Sequence, residues 1–258
     1  MKKYLLMIKE ICEEEEIDIK SFSDDWTHVL TKDNIQRRIN GYAFELNNAA
    51  SSNICDDKTV TSEILIDSNI PCILHEFFFN YNENLKSPRE DIIKCFEKYG
   101  KVVIKPNKGH SGKDVFLVQN ADDLNEKIDY LFQKYQDIVI SPYYDIETEY
   151  RIIILDNEAK IVYGKNRTKD WRFNLSHGAT ADIDVSENLQ AKLSSLAIKT
   201  AKVLNIRFAS VDIAKIGTDL IVLEVNKGVS MERFSNQSAE YYKIAKEIYR
   251  EAILKMFM

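Results

Sequence analysis

The chain has 258 residues, 45% of them hydrophobic, with a net charge of -6 and a pI near 5.4. That is enough apolar material for one large or two modest domains. The acidic balance, the lack of a long basic block and the lack of any apolar run near ~20 residues exclude nucleic acid and membrane as expected partners.

The N-terminus, MKKYLLMIKEICEEEE, turns acidic too early for a secretory leader. Its pattern predicts a helix from Lys2 towards Glu16, then strands over Ile17–Phe22 and Gly41–Leu46. Cys12, Cys55, Cys72 and Cys95 form no CxxC pair, and His28, His75, His110 and His177 have no metal-ligand spacing. Reduced thiols in a cytoplasmic protein are the expectation. Asp56-Asp57 precede an amphipathic helix over Lys58–Asp67, with Lys58 in the first turn. The macrodipole disfavours a cation there by roughly 0.3–1 kcal/mol, so Lys58 either meets an anion or bends into solvent.

Ser87-Pro88-Arg89-Glu90 forms a capping box for a helix that Gly100 ends. A strand over Val102–Lys105, a loop over Pro106–Asp114 and a strand over Val115–Val118 follow. Asn120 or Asp122 caps a helix with Leu124, Ile128, Leu131 and Tyr135 on its apolar face. A strand over Ile138–Ile140 leads into a connector, Ser141-Pro142-Tyr143-Tyr144, and strands Tyr150–Leu155 and Lys160–Lys165 flank Asp156-Asn157. After a polar and aromatic loop over Arg167–Ala181 come a helix over Glu187–Leu204, a hairpin and a last helix from about Ser238. Interspersed helices and hairpins indicate an α+β fold with antiparallel sheets.

The hairpin VDIAKIGTDLIVLEVN carries polar residues where a buried hairpin would not. If Gly217-Thr218-Asp219 is a three-residue loop, Ile216 pairs with Leu220, Ala214 with Val222, Asp212 with Glu224, and Ser210 with Asn226. Neighbouring carboxylates ~4.5–5.5 Å apart repel by about 3 kcal/mol at an effective dielectric near 20. A divalent cation with oxygen ligands would offset that, and magnesium suits such a set. An exposed sheet face with two ordinary acids is the alternative. KPNKGHSGKD lacks the spacing of a Walker loop and leads into a strand, yet its glycines would let backbone N–H groups approach phosphate. It is otherwise a flexible hairpin tip.

The order of these motifs resembles the ATP-grasp superfamily, and within it the RimK-type carboxylate–amine ligases, over residues 51 to 250. The resemblance rests on Asp57-Lys58, IKPNKGHSGKDV, SPYY, ETEYRI, the stretch from Arg167 through NLSHGA, and VDI…LEVN. It implies two α+β lobes gripping ATP between antiparallel sheets, preceded by a short region over residues 1–50. The smaller lid lobe would span about 88–141 and the C-terminal lobe about 142–258.

By the same resemblance Lys58 and Lys105 contact ATP phosphates, and the Gly109–Lys113 loop is the mobile lid, with Gly109, His110, Ser111 and Gly112 binding the nucleotide. Ser141, Pro142, Tyr143 and Tyr144 line the adenine, with the Pro142 carbonyl and the Tyr144 N–H as its partners, and Glu149 binds the ribose. Arg151, Arg167 and Asn174 face substrate or phosphate, and Asp212, Glu224 and Asn226 hold magnesium, expected as two ions, with manganese an alternative. Ser141 stands where relatives carry an acid, and Lys227-Gly228-Val229-Ser230 replaces a proline-containing stretch. The implied activity joins a carboxylate to an amine, on small molecules or peptides, through an acylphosphate. A phosphotransferase on the same fold and a non-catalytic nucleotide-binding module are the alternatives.

Overall fold

A computed structural model describes residues 3–80, 88–109, 112–166, 173 and 178–258. The chain opens with helix α1 (Lys3–Glu14) and strands β1 (Asp18–Phe22), β2 (Thr27–Lys32), β3 (Ile35–Asn40) and β4 (Ala43–Phe44). These strands form one antiparallel sheet in chain order. The β2–β3 hairpin went unforeseen. Its turn is Asp33-Asn34, both at positive φ (50° and 64°), which is the backbone a two-residue hairpin turn needs.

Helices α2 (Ala49–Asp56) and α3 (Lys58–Asp67) follow. Asp57 caps α3, its carboxylate accepting from the Val60 N–H at 3.1 Å. Strand β5 (Glu76–Phe79), helix α4 (Arg89–Tyr99), strands β6 (Val102–Pro106) and β7 (Phe116–Val118), helix α5 (Ala121–Phe132) and strand β8 (Asp137–Pro142) make up a lobe of their own. Its sheet runs β5-β8-β6-β7. One face packs Ile104, Ile138 and Ile140 against Ile92 of α4 and Leu124, Ile128 and Leu131 of α5. Pro88 stands before α4 without a side-chain cap, and the expected cap Ser87 lies outside the described residues. Tyr135 falls beyond the end of α5 but packs against the same core.

Strands β9 (Thr148–Leu155) and β10 (Glu158–Asn166) form a hairpin around Asp156-Asn157, again both at positive φ. Strand β11 (Thr180–Asp182), helix α6 (Glu187–Val203), strands β12 (Phe208–Ile216) and β13 (Asp219–Asn226), and helices α7 (Glu232–Ser235) and α8 (Ala239–Phe257) complete the chain. Their sheet runs β11-β10-β9-β12-β13. Side chains alternate along each strand, so the sheet has two different faces. Ile152, Ile154, Val211 and Ile213 pack under Leu193, Ala197 and Ala201 of α6. On the opposite face Ile153, Leu155, Tyr163 and Phe208 join a core built from α1, α8 and the N-terminal sheet.

The β12–β13 hairpin corrects the expected loop. The turn has two residues, so Ile216 pairs with Asp219, Lys215 with Leu220, and Ala214 with Ile221. Uncorrected, that register would separate Asp212 from Glu224. A bulge between Ile213↔Val222 and Asp212↔Glu224 leaves Leu223 as the extra residue and restores both Asp212↔Glu224 and Ser210↔Asn226.

Candidate active site

Two short crossings join the β5-β8-β6-β7 sheet to the larger sheet. In the first, Pro71 and Ile73 bond to Val222 of β13 (Val222 N–H to Pro71 O, 2.9 Å; Ile73 N–H to Val222 O, 3.0 Å). Three residues after Ile73 the chain enters β5 of the other sheet. The second crossing runs from β8 to β9. The expected connector starts later than the sequence suggested, because β8 continues through Ser141 and Pro142, which pair with Val103 and Val102. Ser141 is buried. The Tyr143 N–H bonds to the Lys101 carbonyl at 2.9 Å, and the Lys101 ammonium lies 3.8 Å from the Tyr143 ring centroid. Backbone alternation then turns Pro142 and Tyr144 away from β6.

From the β5-β8-β6-β7 sheet, Lys105 shares a register row with Val139 and Phe77, on the face opposite the Ile104 core. Burial, and then the nearby Lys58 ammonium, push the Lys105 pKa down to about 8, against the pull of Glu224 and Glu149. Lys58 is not bent into solvent. Its side chain is only 11% exposed. Its ammonium donates to the carbonyls of Gly109 (2.9 Å) and Asn107 (3.3 Å), and it lies 3.9 Å from Glu224. The Asn107 side-chain oxygen accepts from the Thr59 N–H at 3.1 Å, so the root of the glycine loop is fixed to the first turn of α3. Gly112 takes φ +70°. His110, Ser111, Arg167 and Asn174 lie outside the described residues.

The larger sheet supplies a charged row. Tyr163, Arg151, Asp212 and Glu224 pair in succession across β10, β9, β12 and β13. Lys165 and Glu149 pair in a neighbouring row. The Arg151 guanidinium grips Asp212 with two hydrogen bonds, Nε to Oδ1 at 2.7 Å and Nη2 to Oδ2 at 2.6 Å. Lys165 sits 3.1 Å from the same Oδ1 and also pairs with Glu149. Burial works to raise the Asp212 pKa, but Arg151 and then Lys165 outweigh it and hold the carboxyl at about 2. Burial raises the pKa of Glu149.

The charge of Asp212 is therefore offset within the protein, by Arg151 and Lys165, and not by a metal alone. Among the described residues no group of three or more His, Cys, Asp or Glu side chains is placed to hold a metal ion. Oxygen donors do remain. Glu224 is about one-third exposed (35%), and Asn226 is opposite Ser210, two residues along the strand. A carboxylate offers about four acceptor sites, of which Asp212 has committed three. That donor set fits a hard cation that keeps several waters. Lys165 was not singled out from sequence: counting back from the Asp156-Asn157 turn places Gly164 opposite Glu149, and only the bulge between Ala159 and Ile161 brings Lys165 to that position.

The family model for the RimK-like ATP-grasp domain matches residues 55–251. The chain belongs to the RimK-like ATP-grasp family. This membership places it among ATP-dependent ligases that form C–N bonds. A search of curated protein sequences gives no match. Among solved structures, this RimK-like chain is similar to the D-alanine–D-alanine ligase of Bacillus anthracis, with a TM-score of 0.63 and 21% identity over 80% of this chain and 70% of that one. The same ligase complexed with ATP matches at a TM-score of 0.62 and 22% identity, over 80% and 69%. The ATP-grasp ligase PsnB complexed with a minimal precursor matches at 0.54 and 16%, over 75% and 59%. At these identities the likeness concerns the ATP-grasp fold. No helix among the described residues of this RimK-like protein is long and apolar enough to cross a membrane.

Proposed function

We propose that this protein is an ATP- and magnesium-dependent carboxylate–amine ligase acting on a small-molecule or peptide acid. One observation carries the reading. Lys105 from one sheet lies within electrostatic reach of Glu149 and Glu224 from the other, close to where two crossings join the sheets. Cations on one wall and oxygen donors on the other suit a polyphosphate with its counter-ion.

ATP would lie between the sheets, with Lys105 and Lys58 as the residues that would contact its phosphates. The Pro142 carbonyl and the Tyr144 N–H, both turned from β6, are the adenine partners. Glu224, Asn226 and the remaining acceptor site of Asp212 would hold magnesium. The ion supplies charge neutralisation at the transferring phosphoryl group. Arg151 and Lys165 are positioning residues that fix Asp212, and Glu149 is fixed by Lys165. Arg167 and Asn174 are the substrate-facing candidates. An oxygen of the substrate carboxylate attacks the γ-phosphorus, the bond to ADP breaks, and an acylphosphate results. The amine nitrogen then attacks the acyl carbon, loses a proton, and expels phosphate, leaving an amide.

The test is phosphate release across arrays of acids and amines, with product masses. The reading requires turnover that depends on both partners and a product short of one water. A phosphorylated acid or alcohol as the final product, without an amide, would refute the ligase assignment.

A further inference from the structure

His75 is buried, at 5% exposure, and neither of its ring nitrogens finds a hydrogen-bond partner among the described residues. Leaving a buried imidazole unpaired on both nitrogens is costly, and native structures seldom do it without a ligand or a water. Its place in the chain is unusual as well. Residues 71–73 are tied to β13 of the larger sheet, and residues 76–79 belong to β5 of the other sheet. His75 therefore sits in the first crossing, where the two sheets part. It shares a cavity wall with Lys58 and Glu224, and it lies within electrostatic reach of Lys105.

We infer that His75 is a nucleotide ligand: its ring completes, with Lys58 and Lys105, the site that takes the polyphosphate. This rests on the ATP-grasp reading of the nucleotide site. Burial and the adjacent Lys105 and Lys58 ammoniums hold the imidazole neutral. A neutral ring carries one N–H donor and one lone pair. The donor suits a phosphate oxygen, which the two flanking cations would bring to that place. The lone pair suits an ammonium hydrogen or a water. Two ammonium groups beside a neutral donor form an anion site in which the histidine adds direction without adding charge.

The experiment measures ADP and adenosine binding by calorimetry on the full chain, as wild type, His75→Leu and His75→Gln, together with the melting temperature of each ligand-free protein. His75→Leu should weaken ADP binding about tenfold, equivalent to about 1.4 kcal/mol. It should leave adenosine binding unchanged, and it should melt no lower than wild type because a buried unpaired polar group is gone. His75→Gln, which restores an N–H donor, should recover most of the ADP affinity. If His75→Leu binds ADP as wild type does, the assignment is wrong. It is also wrong if ADP and adenosine affinity fall together with the melting temperature, since that is the signature of packing alone. Wild-type protein that binds no ADP would overturn the functional reading and this site together, a result distinct from either.

Discussion

Asp212→Asn isolates one charge in a buried row at almost constant volume. The native carboxylate is held by Arg151 through two short hydrogen bonds and by Lys165 at 3.1 Å. Its pKa lies at about 2 instead of the ordinary 3.8. At 1.36 kcal/mol per unit, the displacement makes ionisation of Asp212 worth about 2 kcal/mol of folding stability at neutral pH. Because the folded pKa is depressed, that stability is complete above about pH 4 and is lost as pH falls towards about 2. The asparagine cannot be ionised, so it forfeits the contribution at every pH and leaves Arg151 and Lys165 with Glu149 as their remaining acid. Breaking a buried pair by removing one partner costs up to about 3–5 kcal/mol, which sets the upper bound. For a chain of this size, about 2 kcal/mol lowers the melting temperature by about 4–8 °C. The assay is thermal melting of the metal-free protein at pH 7, repeated down to pH 3. Wild type and variant should converge as acid protonates Asp212. A variant that melts with wild type at pH 7 would show that the row is not a stabilised ion-pair network, and the positioning role given to Arg151 and Lys165 would fall with it.

Lys105 loses its proton as pH rises through about 8, and a bound polyphosphate favours the charged form. ADP affinity should therefore fall about tenfold between pH 7 and 9, and Lys105→Met should flatten that dependence; calorimetry at both pH values checks it. Lys58→Met removes the ammonium from the Gly109 and Asn107 carbonyls. Hydrogen bonds to charged groups contribute about 1.5–3 kcal/mol, so amide exchange at residues 107–109 should speed up by at least tenfold while α6 and α8 stay protected. Gly217 has φ +58° and nothing within 4 Å of an added Cβ. Gly217→Ala should cost about 1–2 kcal/mol from backbone strain alone, read as a lowered denaturation midpoint with an unchanged slope.

What could be read from sequence follows from physics that acts over short distances. The helix starting at Lys58, the hairpin around Asp156-Asn157 and the Ser238 cap, whose Oγ accepts from the Tyr241 N–H at 3.0 Å, all depend on adjacent residues. The β2–β3 hairpin uses the same Asp-Asn turn chemistry as Asp156-Asn157, but its strands, THVLTK and IQRRIN, carry charges that hide the alternation. Asp212 opposite Glu224 emerged from a turn one residue too long. The structure reaches the same pairing with a shorter turn and a bulge at Leu223, which no single-strand periodicity reveals. Partners distant in sequence were harder still. Nothing local indicates that Arg151 is spent on Asp212, that Lys58 reaches the Gly109 carbonyl, or that His75 stands between two sheets.

One face of the central sheet serves two masters along its length. Ile153, Leu155 and Tyr163 pack against the core of the N-terminal sheet and the last helix, while Arg151, Lys165 and Asp212, on the same strands, form the buried ion pairs. The first 48 residues act as a keystone for the ligase machinery. A shortened protein beginning at α2 would strip the covering from those strands, and its ion pairs would lose the rigid bed on which their spacing depends.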